Sequence, residues 1–316
     1  MNTPFFSIII PLYNKEKYIK RTLYSVLNQK FKNYEIIVIN DGSTDRSLSV
    51  VQSIKDDRIK IYNQKNLGLN NARNAGITKA TGKYISFLDA DDEYNLDFLN
   101  KMYTLIKKHK GYSFFATAFR RVDKNNLQHD TVLGKKKNFI VKDFLGHIAE
   151  TGKFFIHVSS IVIKRTVFKK IGMFYVKSKK HNCGTEIVGD FDLWIRIAMK
   201  YKLVYSNYVG CIYYKNTPIN MLSGYGNKKM NNSFFEDTIN NIINKSRKKT
   251  EKNKLQKILY RFFNLMAVQS LIRNNIKEAR LYLNKQKTKT KEVKQIYELI
   301  LKKEIENNLL KKCQKY

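Results

Sequence analysis

The sequence predicts an α/β fold, a mostly parallel central sheet flanked by helices, with a helical tail at its C-terminal end. Three observations carry this. Short β-branched runs alternate with amphipathic segments from Phe6 to Leu88, each such run ends in a loop of turn and capping residues, and strand signals vanish beyond about Lys228. A chain of 316 residues, 43% hydrophobic and 13% aromatic, has enough apolar side chains for one generous domain with an appendage or two modest ones. That content excludes a disordered chain.

The first run, Phe6 to Leu12, is apolar and β-branched and is stopped by Pro11, which reads as a buried strand entering a loop. Tyr18, Ile19, Leu23, Val26 and Leu27 then recur at helical spacing before a second strand at Tyr34 to Ile39. The loop Asp41-Gly42-Ser43-Thr44-Asp45 opens a second helix with capping residues. Ile59 to Tyr62 is strand-like, Gly68 to Lys79 a third helix, and Tyr84 to Leu88 a fourth strand. Alternation of this kind gives a parallel sheet whose ligands bind beyond the carboxyl ends of the strands. After Gly111 the pattern mixes, with an extended stretch at Phe154 to Lys164 and a helix at Asp190 to Tyr201. Leu255, Ile258, Leu259, Phe262, Phe263 and Met266 carry helical spacing in the tail.

Composition narrows the function classes. The longest apolar runs fall far short of the roughly 20 residues of a membrane-spanning helix, and no basic region precedes the first of them, so neither a span nor a signal peptide is expected. The location predicted is the cytoplasm, with peripheral attachment to the cytoplasmic face of the inner membrane. Cys183, Cys211 and Cys313 are widely spaced and read as free thiols. The net charge of +34 implies a polyanionic or phosphorylated partner, and 23 Lys and Arg against 8 Asp and Glu lie between Lys228 and Tyr316. A Lys- and Asn-rich bias that merely decorates solvated faces is the plain alternative.

The strand-end loops carry the chemistry. Pro11, Tyr13 and Asn14 stand on the first and Asn40 to Asp45 on the second, facing one crevice. An aromatic such as Tyr13 can pack on a nucleobase while Asp41 accepts the imide N–H of a uracil, although D-G-S-T-D is also a good turn and helix cap. Asp89-Ala90-Asp91 ends the fourth apolar strand, where two carboxylates can converge on a hard divalent cation that takes donor phosphates as further ligands. Arg73 on the third helix suits a diphosphate oxygen, or else an ion pair with a nearby aspartate.

In order, S-I-I-I-P-L-Y-N at Ser7 to Asn14, V-I-N-D-G-S-T-D at Val38 to Asp45, N-L-G-L-N-N-A-R-N-A-G-I at Asn66 to Ile77 and F-L-D-A-D-D at Phe87 to Asp92 resemble family 2 glycosyltransferases. The resemblance is close through Asp92, patchy to Tyr214 and negligible beyond. It implies the GT-A fold, a Rossmann-like sheet, and inverting transfer from a nucleoside diphosphate sugar, expected to be a UDP-sugar. The acceptor expected is a hydroxyl of a glycan or lipid-linked molecule in cell-surface polysaccharide or lipopolysaccharide synthesis. It assigns Pro11, Tyr13, Asn14, Asp41, Arg73 and Asp89 to the donor, Asp91 with Asp89 to Mn²⁺ or Mg²⁺, and Asp92 to a supporting role or a helix cap. Val188 to Arg196 resembles the family's E-D-x-D-L-W-x-R segment and makes Asp190 the base that takes the acceptor's proton, a role compatible with capping the helix. Two departures stand out: Gly189 replaces the usual Glu, and Tyr213-Tyr214-Lys215-Asn216-Thr217 lacks the His of the family's Tyr-Arg-x-His element. Lys215 is a substitute for its Arg, and His157 could face the acceptor. Trp194 reads as core or acceptor platform.

The organisation expected is a donor half at 1–110, an acceptor and catalytic half at 111–227, and a basic helical region at 228–316 that meets an anionic membrane face. Two rivals have less support. A sugar nucleotidyltransferase would need a Gly-rich, Arg- and Pro-containing loop where Tyr13-Asn14-Lys15-Glu16 stands. A basic nucleic-acid-binding protein has the charge but neither stacked aromatics nor a helix-turn-helix, and no specific nucleic-acid partner is expected.

Overall fold

The structure, a computed structural model, describes residues 3–123, 125–151, 155–176, 186–215, 233–272, 274–286 and 290–313. Four strands open the chain: β1 (Phe6–Leu12), β2 (Tyr34–Asp41), β3 (Ile59–Gln64) and β4 (Tyr84–Phe87), connected by α1 (Ile19–Leu27), α2 (Ser47–Ser53) and α3 (Leu69–Lys79). β1 runs parallel to β2 and β4, and β2 parallel to β3, as the alternation predicts. Every residue of β1, β2 and β4 is buried, which explains their mostly apolar runs without alternation, since helices cover both faces. On one face Phe6, Ile8 and Ile10 join Leu23 and Val26 of α1 in the main core. On the other α3 presses so closely that a Cβ at Gly76 would lie 2.3 Å from the Ile9 side chain. That approach sets Arg73, on the same helix, over the sheet.

Beyond β4 come β5 (Glu93–Tyr94), α4 (Phe98–Lys108), β6 (Phe114–Val122), β7 (Gln128–Asp130), β8 (Asn138–Ile140), α5 (Phe144–Thr151) and a 3-10 turn at Val158–Ser160. There follow β9 (Ile161–Lys164), α6 (Thr166–Ile171), α7 (Glu186–Ala198) and β10 (Leu203–Tyr214). The sheet order is β3-β2-β1-β4-β9-β6-β10-β5, with β7 on β6 and β8 on β10. β9 is antiparallel to both neighbours, so the sheet is parallel through β4 and mixed after it, with β10 again parallel to β6. The predicted extended stretch thus divides into a 3-10 turn and a strand. The predicted helix at Asp190 begins four residues earlier, which places Asp190 inside α7 and removes the capping role.

Glu35 anchors the end of the sheet away from the crevice. It accepts from Ser7 Oγ (2.6 Å), Thr81 N (2.8 Å), Thr81 Oγ1 (2.7 Å) and Lys60 Nζ (2.7 Å). Burial works against its charge, but these donors outweigh it and hold the carboxyl down at about 2.

The chain divides into two compact units, Met1–Phe144 with Phe154–Tyr225 and Met230–Phe235, and Leu145–Lys153 with Gly226–Lys229 and Glu236–Tyr316. The second contains α9 (Lys249–Ile272), α10 (Ile276–Asn284), α11 (Lys291–Cys313) and most of α8 (Ser233–Lys245). Its core is built from Leu255, Ile258, Leu259, Phe263 and Met266 of α9 with Ala279, Leu283, Val293, Ile296 and Ile300, the spacing of helices burying one stripe each. Among the described residues this region has no strand, and no helix is long and apolar enough to cross a membrane. Cys211 is a free, buried thiol. Lys228, Asn216, Thr217 and Cys183 lie outside the described residues.

Candidate active site

The loops after β1 and β2 are tied to each other. Asn14 adopts a left-handed backbone (φ 49°), and its Oδ1 accepts from Thr44 N at 2.8 Å while its own N–H donates to Ser43 Oγ at 3.2 Å. Gly42 makes the second loop possible: its φ is +72°, and a Cβ there would come within 2.9 Å of Asn66 N. Pro11 is buried in β1 and Tyr13 half-buried beyond it. Asp41, at the end of β2, is buried and secures the approach to α3, accepting from Gln64 Nε2 (2.6 Å) and Leu67 N (2.9 Å) on Oδ1 and from Gly68 N (2.9 Å) on Oδ2. A carboxylate has about four accepting positions. The three protein donors therefore leave Asp41 room for one more, such as a base edge.

The carboxylates of the acidic turn after β4 have different partners. Asp89 accepts from Arg73 Nη2 at 2.8 Å, Asp91 pairs with Lys15 Nζ at 2.7 Å, and Asp92 turns inward to accept from Ser159 Oγ at 2.6 Å. Ser159 Oγ also accepts the Asp89 N–H at 3.2 Å, so one hydroxyl links the two aspartates. Residues of α1 hold the backbone of the turn: Arg21 Nη2 donates to the Asp91 carbonyl (2.8 Å), and the Thr22 hydroxyl reaches those of Ala90 (3.0 Å) and Asp92 (2.8 Å).

Arg73 joins this turn to α7. Its guanidinium is 1% exposed, lies over the Phe174 ring, and bridges Asp89 Oδ1 and Asp190 Oδ1 at 2.8 and 2.6 Å. Of the two readings of Arg73 that the sequence leaves open, the ion pair is formed in the structure, and it leaves the donor reading standing. The same cation affects its partners differently. Burial pushes the Asp190 carboxyl above its ordinary range despite the opposing pull of Arg73, whereas at Asp89 burial is outweighed by Arg73, and the group titrates below its ordinary range. Two carboxyls whose environments drive them apart form an arrangement suited to separate roles. Asp192, two residues further along α7, is held by Arg196, which binds it through Nε at 2.9 Å and also donates to the Ile171 and Met173 carbonyls. Trp194 is buried, stacked 6.1 Å from Phe114 and edge-on to Phe174, and is a core residue rather than an acceptor platform.

His157 is the residue whose place the sequence did not reveal. Its ring stacks on Tyr213 at 4.4 Å, Nδ1 accepts from Ser159 N at 3.3 Å and lies 3.6 Å from Asp92 Oδ2, and burial pushes the imidazole down to about 4, so it is neutral near pH 7. Asp92 is pushed well up, by burial first and then by the charges of Asp91 and Asp89. Among the described residues, Asp89, Asp92 and His157 form a group whose ligand atoms lie within 4.8 Å of one another. Carboxylate oxygens with one imidazole nitrogen fit Mn²⁺ well and Mg²⁺ acceptably. Asp91, expected to share a cation with Asp89, is paired with Lys15 and is not part of this group. Lys215 is exposed beyond β10.

The family model described as Glycosyl transferase family 2 matches residues 7–172. An uncharacterized glycosyltransferase of Haemophilus influenzae is 43% identical over 123 residues, 36% of this chain and 49% of its own length. Glycosyltransferase GlyA of Streptococcus pneumoniae is 39% identical over 106 residues, 33% of this chain and 15% of its own length. The chain thus spans about half of the first relative and far less of the second. The fold is similar to that of S. aureus TarS 1-349 in complex with UDP-GlcNAc, with a TM-score of 0.69 at 20% identity over 88% of this chain and 78% of that one. It is also similar to the mannosyltransferase PcManGT from Pyrobaculum calidifontis in complex with GDP-Man and Mn²⁺, with a TM-score of 0.56 at 16% identity over 90% and 75%.

Proposed function

The chain belongs to glycosyltransferase family 2, and from that premise we propose that it is an inverting, metal-dependent enzyme that moves a sugar from a UDP-sugar to a hydroxyl of a glycan or lipid-linked acceptor in surface-glycan synthesis. The observation that carries the reading is the buried Arg73 guanidinium, which holds a strand-end carboxylate and the α7 carboxylate Asp190 on its two sides. Residues 1–110 form the donor half: Tyr13 packs on the base, Asp41 offers its remaining accepting position to the base edge, and Pro11 and Asn14 shape the loop between them. The fold likeness to proteins bound to UDP-GlcNAc and GDP-Man supports a nucleotide-sugar donor.

Residues 111–227 supply the acceptor side. As the acceptor oxygen attacks the anomeric carbon, Asp190 takes its proton, the bond from that carbon to the diphosphate oxygen breaks, and the nucleoside diphosphate leaves. A single displacement inverts the anomeric centre. The raised Asp190 carboxyl is a stronger base than a free aspartate, and the neighbouring guanidinium can turn to a diphosphate oxygen. Asp89 and Asp91 would hold Mn²⁺ or Mg²⁺, Asp91 by exchanging its Lys15 partner for the ion and Asp89 beside Asp92 and His157; such an ion would neutralise the leaving diphosphate. Screening nucleotide sugars tests the reading: donor hydrolysis and transfer are expected to require a divalent cation, and full transfer in excess EDTA would exclude it.

The helical region 228–316 is proposed to rest on an anionic membrane face at the cytoplasmic side, where a lipid-linked acceptor is presented. Its excess of Lys and Arg supports this, as do Leu299, Leu301 and Ile305, large apolar side chains exposed on α11. Each basic residue near such a surface contributes about 1 kcal/mol. The full chain is expected to sediment with anionic vesicles at low salt and to be released by high salt; equal binding to neutral vesicles would contradict the proposal.

A further inference from the structure

Lys15 follows Asn14 at the crevice, and its backbone is fixed independently of its side chain. The Lys15 N–H donates to Ser47 Oγ at 2.7 Å, and its carbonyl accepts from Tyr18 and Ile19 N–H, each at 2.9 Å, which starts α1. From this origin the ammonium reaches Asp91 Oδ2 at 2.7 Å and lies 5.9 Å from the centre of the Tyr18 ring. The two side chains are only 13% and 10% exposed, so water screens the pair weakly. A second cation stands nearby: Arg21, stacked on Tyr214 and paired with Glu93, donates to the Asp91 carbonyl.

A carboxylate already matched by an ammonium at contact distance is a poor ligand for a free cation. A divalent ion that takes the same oxygen must displace the ammonium or lie a few ångströms from it, and like charges at that separation repel strongly where screening is weak. A nucleoside diphosphate changes the balance. It brings at least two negative charges, which offset the ion and give the displaced ammonium an anion to face.

We propose that Lys15 is a resident counter-ion that competes with the divalent cation for Asp91, keeps free-metal affinity low, and makes metal and nucleoside diphosphate bind together. The inference rests on the metal-dependent reading given above, but its test does not use transfer. Titration of the full chain with Mn²⁺ alone, followed by calorimetry, compares the parent with Lys15→Met and Lys15→Arg. The methionine variant is expected to bind Mn²⁺ at least about tenfold more tightly than the parent, and the arginine variant within about threefold of it, because arginine keeps the competing charge. Adding UDP should tighten Mn²⁺ binding more in the parent than in Lys15→Met. Introducing Asp91→Asn into Lys15→Met should abolish the gain. Melting temperatures report folding, and Lys15→Gln repeats the comparison if the methionine variant is unstable. Mn²⁺ binding that is unchanged or weaker in both neutral variants, or undetectable in every protein, overturns the proposal. So does a gain that survives Asp91→Asn, because the ion would then be among Asp89, Asp92 and His157. A protein that transfers no sugar would leave these outcomes readable, so failure of the enzymatic reading and failure of this one are distinct.

Discussion

Replacing Arg73 with methionine is expected to destabilise the protein by about 3 kcal/mol at neutral pH, the low end of the cost of removing one partner from a buried ion pair. The low end applies because Asp89 and Asp190, the carboxylates left facing each other, are each about a quarter exposed and keep some hydration. For a chain of 316 residues the melting temperature should fall by roughly 5 °C. The pH dependence identifies the cause. Arg73 holds the folded-state Asp89 below its ordinary range, so its stabilising contribution is fully present above the ordinary aspartate value and is lost as the pH falls through the lower folded value. The gap between parent and variant should therefore be widest near pH 7 and narrow as the pH falls, first through the raised range of Asp190 and then below about 4 through that of Asp89. Thermal melts at the two pH values measure it. Equal melting at neutral pH would mean that the bridge contributes nothing to stability. Arg73→Lys should fall between the two, since one ammonium cannot span both carboxylates as the planar guanidinium does.

The parts of the fold that were legible are those in which local sequence and burial coincide. Strands β1, β2 and β4 are buried on both faces and so appear as mostly apolar, β-branched runs rather than alternating ones, and the loops that follow them are full of turn and capping residues. The helices of the second unit follow from single-stripe spacing. What remained hidden depends on pairings distant in sequence. Nothing around His157 marks it as a neighbour of Asp92, 65 positions earlier, because the 3-10 turn that brings it there is set by packing on Tyr213 and Phe119. The antiparallel β9 is a four-residue strand with no local sign of its direction. The start of α7 was misplaced because Gly189 lowers helix propensity, a local cost that the fold overrides. At the acidic turn the sequence identified the residues but not their partners: spacing alone would send Asp89 and Asp91 to one ion, whereas their ion pairs run to different cations.

Because Asp190 lies within α7, replacing it separates chemistry from stability more sharply than a capping residue would allow. Asparagine keeps the shape and can still accept from Arg73, but it cannot take the acceptor's proton. Loss of a general base typically lowers the rate by about 10² to 10⁴. Stability should move little, or upward. Burial raises the folded-state Asp190 above its unfolded value, so the group favours folding below the unfolded value and loses that contribution as the pH rises through the folded one. Near pH 7 its charge is held at a cost, which Asp190→Asn removes, as expected where a site is strained for function. The same shift sets the pH profile. Transfer by the parent should decline as the pH falls through a value above the ordinary aspartate range, and the residual activity of the variant should lack that limb. Transfer rate, donor affinity and melting temperature measured side by side decide the matter. The expected result is a rate lower by two to four orders of magnitude, donor affinity near that of the parent, and a melting temperature at or above it. Near-parent transfer in the folded variant would show that the proton goes elsewhere.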